Sequence, residues 1–360
     1  MRRLTRTFAV AAGTVLLASC AMGPDYERPV TDSPESWRVE SLPGESFANL
    51  DWWELFGDQE LSELIRTALL HNKELAIAMA RIEEARAALG FVRADQYPNL
   101  GGQAGAGRGN AVPPASVPGE IGESFVLSAG LSFEIDLWGK LRRSTEAARA
   151  ELLATVDARN VVTITLIADV ASFYLLLLDL DQRVSIAENT RDTRRESLGI
   201  IQARFDKGVV PLIDVNQAQI ELGDAIAELA ALQRQQQQAE NALSVLLGRS
   251  PGPVVRTSLG LTAAIEIPEI PAGLPSELLE RRPDVRQASQ QLAAQTARIG
   301  VAEALRFPSL SLTGTLGLAS NDLDDFISSD NKVWGVSADL LGPIFDAGRG
   351  RARVEVERAR

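Results

Sequence analysis

The sequence predicts an α+β membrane protein, a transmembrane β-barrel with four strands per chain continued by long α-helices. Three observations predict it. From Lys140 to Lys207 there is no proline and the only glycine is Gly199, so the stretch reads as one helix, far beyond the average of ~11–12 residues. Phe125, Leu127, Ala129, Leu131, Phe133, Ile135 and Leu137 are interleaved with Val126, Ser128, Gly130, Ser132, Glu134 and Asp136, an apolar and a largely polar face at period two. The block around Tyr97-Pro98 recurs around Phe307-Pro308, 210 positions later.

The helix comes first because its length sets the problem. Some 60 helical residues would span roughly 90 Å at 1.5 Å each, which no ordinary core can bury. The chain reverses at Asp206-Lys207-Gly208-Val209-Val210-Pro211, where Gly208 suits a left-handed C′ position and Pro211 the first turn of the next helix. A second helix follows from about Leu212 to Leu247, before Gly248. Residues 139–248 therefore read as a long helical hairpin with an exposed tip at Gly208, Val209, Val210, Pro211, Leu212 and Asp214. A mostly apolar turn in that position predicts a covering partner.

The N-terminus reads as an export segment over residues 1–19: Arg2, Arg3 and Arg6 precede an apolar run from Phe8 to Leu17, too short to span a bilayer. Leu17-Ala18-Ser19-Cys20 resembles a bacterial lipobox, which implies a covalent lipid on Cys20, the single cysteine. Ala21 in place of an aspartate favours the outer membrane. With 48 acidic against 36 basic residues and a net charge of −12, no nucleic-acid partner is expected. One histidine, His71, one acylated cysteine and no Gly-rich phosphate loop leave no constellation for an enzyme, a metal or a cofactor beyond that lipid.

Residues 20–57 read as an extended segment whose tryptophans, Trp37, Trp52 and Trp53, pack onto helices. Residues 58–96 carry a helical period through Leu61, Leu64, Ile65, Ala68, Leu75, Ala78 and Ile82, with a break expected near Asn72. Residues 97–138 hold the first strand pair, with Arg108 to Gly122 as its loop. After the hairpin, 249–306 is a connector and a helix that starts near Pro283, 307–347 a second strand pair around the acidic loop Asn321 to Asn331, and 348–360 the start of a further helix. Gly139 and Gly348 stand where strand must turn to helix.

Four two-faced strands without a matching apolar sheet fit a barrel wall, in which lipid-facing and lumen-facing residues alternate over ~9–11 residues per strand. An open sheet cannot stand in lipid with unpaired edges, so several chains must close one barrel; dimer and trimer both remain open on this argument. Val161 to Leu178 offers a competing transmembrane helix, but Asp169, Thr163, Thr165 and Ser172 interrupt it, and a helix packed on two sides looks the same.

The chain resembles the TolC-like outer membrane efflux proteins, in their lipoprotein branch. The resemblance rests on Gly23-Pro24-Asp25-Tyr26-Glu27-Arg28-Pro29, Trp52-Trp53 with Phe56-Gly57-Asp58, Arg204-Phe205 with Gly208, Arg281-Arg282-Pro283-Asp284-Val285-Arg286 and Phe307-Pro308-Ser309-Leu310-Ser311-Leu312. It implies a homotrimer with a twelve-stranded barrel and a helical periplasmic tunnel, working with a periplasmic adaptor and an inner membrane pump. It also implies a second hairpin, which by the repeat would continue to about position 457, whereas the sequence stops at Arg360. The runner-up is a non-channel structural or adaptor-type lipoprotein, which should lack paired membrane strands.

Overall fold

A computed structural model describes residues 21–31, 52–109, 121–256 and 279–360. The export segment, Cys20, Trp37, the centre of the first strand loop and most of the connector lie outside them. The chain divides into two units, and helices α2 (Lys73–Ala94) and α3 (Lys140–Asp206) run through both.

The first unit comprises residues to Val30, Ile82–Val156 and Arg286–Arg360. Its centre is an antiparallel sheet of β1 (Asn99–Gly109), β2 (Gly122–Ile135), β3 (Ser309–Ser320) and β4 (Lys332–Leu341), in sequence order. Asn99 pairs with Ser132, Ile135 with Leu310 and Ser309 with Leu341, so the two hairpins meet through β2 and β3. Two expected boundaries shift. Arg108 and Gly122 belong to strands rather than to the loop, because Arg108 faces Glu123 across the ladder and pairs with it at 3.1 Å. β2 ends at Ile135, where Leu137 N–H turns back to the Ile135 carbonyl at 2.9 Å. Gly139 and Gly348 both sit at positive φ, 78° and 88°, between strand and helix. The helices of this unit include α5 (Pro283–Ala304), which begins on the expected proline, and α6 (Arg349–Ala359).

The second unit, Thr31–Arg81 with Asp157–Val285, holds α1 (Gln59–His71) and α4 (Leu212–Leu246). Residues 52–56 form a short 3-10 helix rather than extended chain, which seats Trp53 in the core. The break at Asn72 has a physical cause: its Oδ1 accepts Leu75 N–H at 2.9 Å and starts α2, while Nδ2 donates to the Leu246 carbonyl at 2.9 Å. The apolar run from Val161 to Leu178 packs in this core, with Val170, Tyr174 and Leu177 fully buried beside Leu61, Ile65 and Leu243. Each such side chain contributes about 1.5–3 kcal/mol. The helix is long and apolar enough to cross a membrane; 39% of its most apolar window is buried, the stripe that faces this core, while Ile164 and Leu176 stay exposed.

Candidate functional site

The two faces of the sheet differ as the alternation requires. One carries Leu100, Leu127, Leu316, Trp334, Val336 and Leu340, all exposed and several by more than two thirds, at 74% for Leu100 and 80% for Val336. Nothing among the described residues covers them. The other face is a shallow trough of Asn99, Gly101, Gln103, Ser128, Ser132, Thr313 and Thr315. Thr313 and Ser337 hydroxyls bond across the ladder at 2.7 Å, and no charged side chain lines this trough. Small residues leave room beside the wall here, and charge stands nearer the helices, where Glu134 and Asp339 flank Ser311 on the same face.

The helix side of the sheet is bounded by an aromatic clasp. The Trp138 indole donates to the Pro308 carbonyl at 2.7 Å and stacks on Phe307 at 4.7 Å, tying the end of the first strand pair to the start of the second. At the far end of the hairpin, α3 closes with Gly208 at φ 71°: Gly208 N–H bonds the Phe205 carbonyl at 2.8 Å, and Val209 N–H the Arg204 carbonyl at 2.9 Å. This is the Schellman arrangement. Pro211 caps α4 from just outside it, one residue before the expected first turn. Val209, Pro211, Leu212 and Asp214 are exposed and Val210 is half-buried. Ile213, absent from the expected set, is 67% exposed and extends the apolar tip, although the run Val209-Val210-Pro211-Leu212-Ile213 was legible in the sequence.

The family model for outer membrane efflux proteins matches residues 64–249 and 274–360. The chain belongs to the outer membrane efflux protein family. It is 32% identical to the cation efflux system protein CusC of Escherichia coli O6:H1, over 96% of this chain and 75% of that one. It is 34% identical to the outer membrane protein OprJ of Pseudomonas aeruginosa, over 96% and 73%. Its fold superposes on the open state of the outer membrane channel MtrE of Neisseria gonorrhoeae with a TM-score of 0.82 at 31% identity, covering 94% of this chain and 76% of that one. It is an outer membrane channel component of an efflux system, and the non-channel lipoprotein alternative is set aside.

Within that family, the residues the sequence did not single out are Arg143 and Trp138. No local pattern marks either, since each gains its role from partners over a hundred positions away.

Proposed function

We propose that three copies of this chain close a twelve-stranded barrel through which solutes pass passively, delivered by an inner membrane pump and a periplasmic adaptor. The observation that carries the proposal is the sheet itself, which has an uncovered apolar face and two edges, β1 and β4, that lipid cannot satisfy. Trimer is favoured over dimer by size: about eight strands leave an interior just wide enough for side chains, whereas a conduit needs more. The channel carries no catalysis of its own. Its relatives are named for cargoes as unlike as cations and toluene, in keeping with a wall whose central trough is lined by small neutral groups.

The internal repeat supplies the register of the closing seam. Moving Asn99 on by 210 positions gives Ser309 and moving Ser132 on by 209 gives Leu341, so the pair Asn99 with Ser132 maps onto the pair Ser309 with Leu341. Applied to the junction between β2 and β3, the same shifts turn Leu131 opposite Gly314 into Leu340 opposite the partner's Ala104. Parity is preserved, so apolar residues stay on the lipid face across the seam.

Cys20 carries the lipid anchor, and the tip at Gly208, Val209, Val210, Pro211, Leu212 and Asp214 docks the adaptor. Purified chain in a planar bilayer should give stepwise conductance. A preparation that forms trimers yet never conducts would overturn the conduit.

A further inference from the structure

We propose that Arg143 is a positioning residue that latches the segment after Cys20 onto the strand-to-helix junction, so that the acyl chains enter the bilayer at a set depth beside β2 and β3. This rests on the reading of Cys20 as the lipid attachment.

The segment from Ala21 to Tyr26 is held by one backbone hydrogen bond and by side chains from the helices. Met22 N–H donates to the Trp138 carbonyl at 3.0 Å, joining it to the aromatic clasp on the helix side of the sheet. The Arg143 side chain is only 6% exposed. Its guanidinium donates to the Met22 carbonyl at 3.1 Å, the Gly23 carbonyl at 3.4 Å, Asp25 Oδ1 at 2.7 Å and Glu146 Oε2 at 2.8 Å. Such charge-assisted bonds are the strong ones. Three glycines make the approach possible. A Cβ on Gly139 would meet Ala21 Cα at 2.7 Å, one on Gly300 would meet the Met22 carbonyl at 2.5 Å, and one on Gly23, at φ 88°, would meet Gly300 Cα at 2.4 Å. Further on, the Tyr26 hydroxyl bonds Ser289 Oγ at 2.6 Å.

The seat is used once per chain. The repeat places Gly90 where Gly300 stands and Ala352 where Arg143 stands, so the second copy lacks the arginine, and a Cβ on Gly90 meets nothing within 4 Å. The close packing therefore belongs to the N-terminal segment and not to the repeated helix. Ala21, the residue next to Cys20 in sequence, is the first described residue of this held segment.

The test is a double-mutant cycle between Arg143→Gln and loss of the lipid, made by exchanging the export segment for a non-lipoprotein one with Cys20→Ser. Pulse-chase appearance of detergent-resistant trimer should slow about fivefold on Arg143→Gln in the lipidated chain, a coupling near 1 kcal/mol at ~1.4 kcal/mol per tenfold, and not at all in the unlipidated one. Equal slowing in both backgrounds makes Arg143 plain structural glue and overturns the proposal. Asp25→Asn, at an exposed carboxylate, should give the same pattern more weakly without endangering the fold. A nitroxide on Glu27→Cys, the sole free thiol once Cys20 is acylated, should be restrained in the parent and mobile in Arg143→Gln; unchanged mobility also rejects the latch. Mass spectrometry separates the two readings, because a mature N-terminus without lipid sinks the role at Cys20 while the nitroxide, repeated in a Cys20→Ser chain, still reports whether Arg143 holds the segment.

Discussion

Asp58 shows how one side chain serves two elements. Its Oδ1 accepts Leu61 N–H at 3.1 Å and caps α1, and its Oδ2 receives the Tyr174 hydroxyl of α3 at 2.5 Å, all of it buried. Asp58→Ala should cost about 2–3 kcal/mol, a cap of ~1 plus a buried bond of ~1–2, and Asp58→Asn less because the cap survives. Thermal loss of the helical circular dichroism signal measures both; equal melting of the two variants would contradict the double role. Asp181 is governed by charge. Burial pushes its carboxyl upward, but bonds from Arg256 at 2.5 and 2.7 Å and from Gln236 outweigh it and hold the carboxyl below its ordinary value. A lowered folded value means that the pair's contribution is complete above about pH 3.8 and is lost as pH falls through the folded value. The melting temperature should therefore drop more steeply below pH 3.8 in the parent than in Asp181→Asn, and parallel curves would remove Asp181 from the acid response. Neither partner was legible beforehand, because Arg256 lies 75 positions from Asp181 and 16 from Glu240 with no periodic signal joining them.

At the scale of elements, the long helix, its left-handed glycine stop and the strand alternation were all readable, because each is set by neighbours a few residues apart. The weakly alternating β1 was readable in outline, from Leu100, Gly102, Ala104 and Ala106 against Asn99, Gly101, Gln103 and Gly105. Five of the eleven residues from Asn99 to Gly109 are glycine, and it is the pairing with β2 that carries the strand to Gly109. The tip offers the clearest element-level prediction. Val209 and Leu212 are 61% and 55% exposed, on a turn whose hydrogen bonds are made by backbone alone. Val209→Asp with Leu212→Asp should leave trimer formation unchanged and abolish pump-dependent resistance; resistance at parental level would reject adaptor docking. Gly208→Ala, which forces a side chain into φ 71°, should cost about 1 kcal/mol in the turn.

The whole molecule is tested at its seam. With Cys20 blocked, Ala104→Cys with Leu340→Cys should cross-link into a covalent trimer on mild oxidation, because directly opposed Cβ atoms lie ~4.5–5.5 Å apart. Ala104→Cys with Val336→Cys, four positions out of register, should stay monomeric under denaturing conditions. The reverse result would overturn the register, and failure of both pairs would overturn closure through β1 and β4.

Periodicity, glycine and proline placement and the 210-residue repeat determined by themselves that this chain has helix, strand, strand and helix twice over, with one strand face made for lipid. Those are local properties, and local properties record which way a side chain points. They do not record what it meets. Only the tertiary structure decided that one stripe of the Val161 to Leu178 run, with Val170, Tyr174 and Leu177, is core, since its hydrophobicity suits a bilayer equally well until Leu61, Ile65 and Leu243 are placed against it. It also decided that β3 lies beside β2 across the whole intervening hairpin, and that Arg143 grips the chain next to Cys20. Each depends on groups more than a hundred positions apart, brought together because burying them jointly satisfies bonds that no contiguous stretch of this sequence satisfies alone.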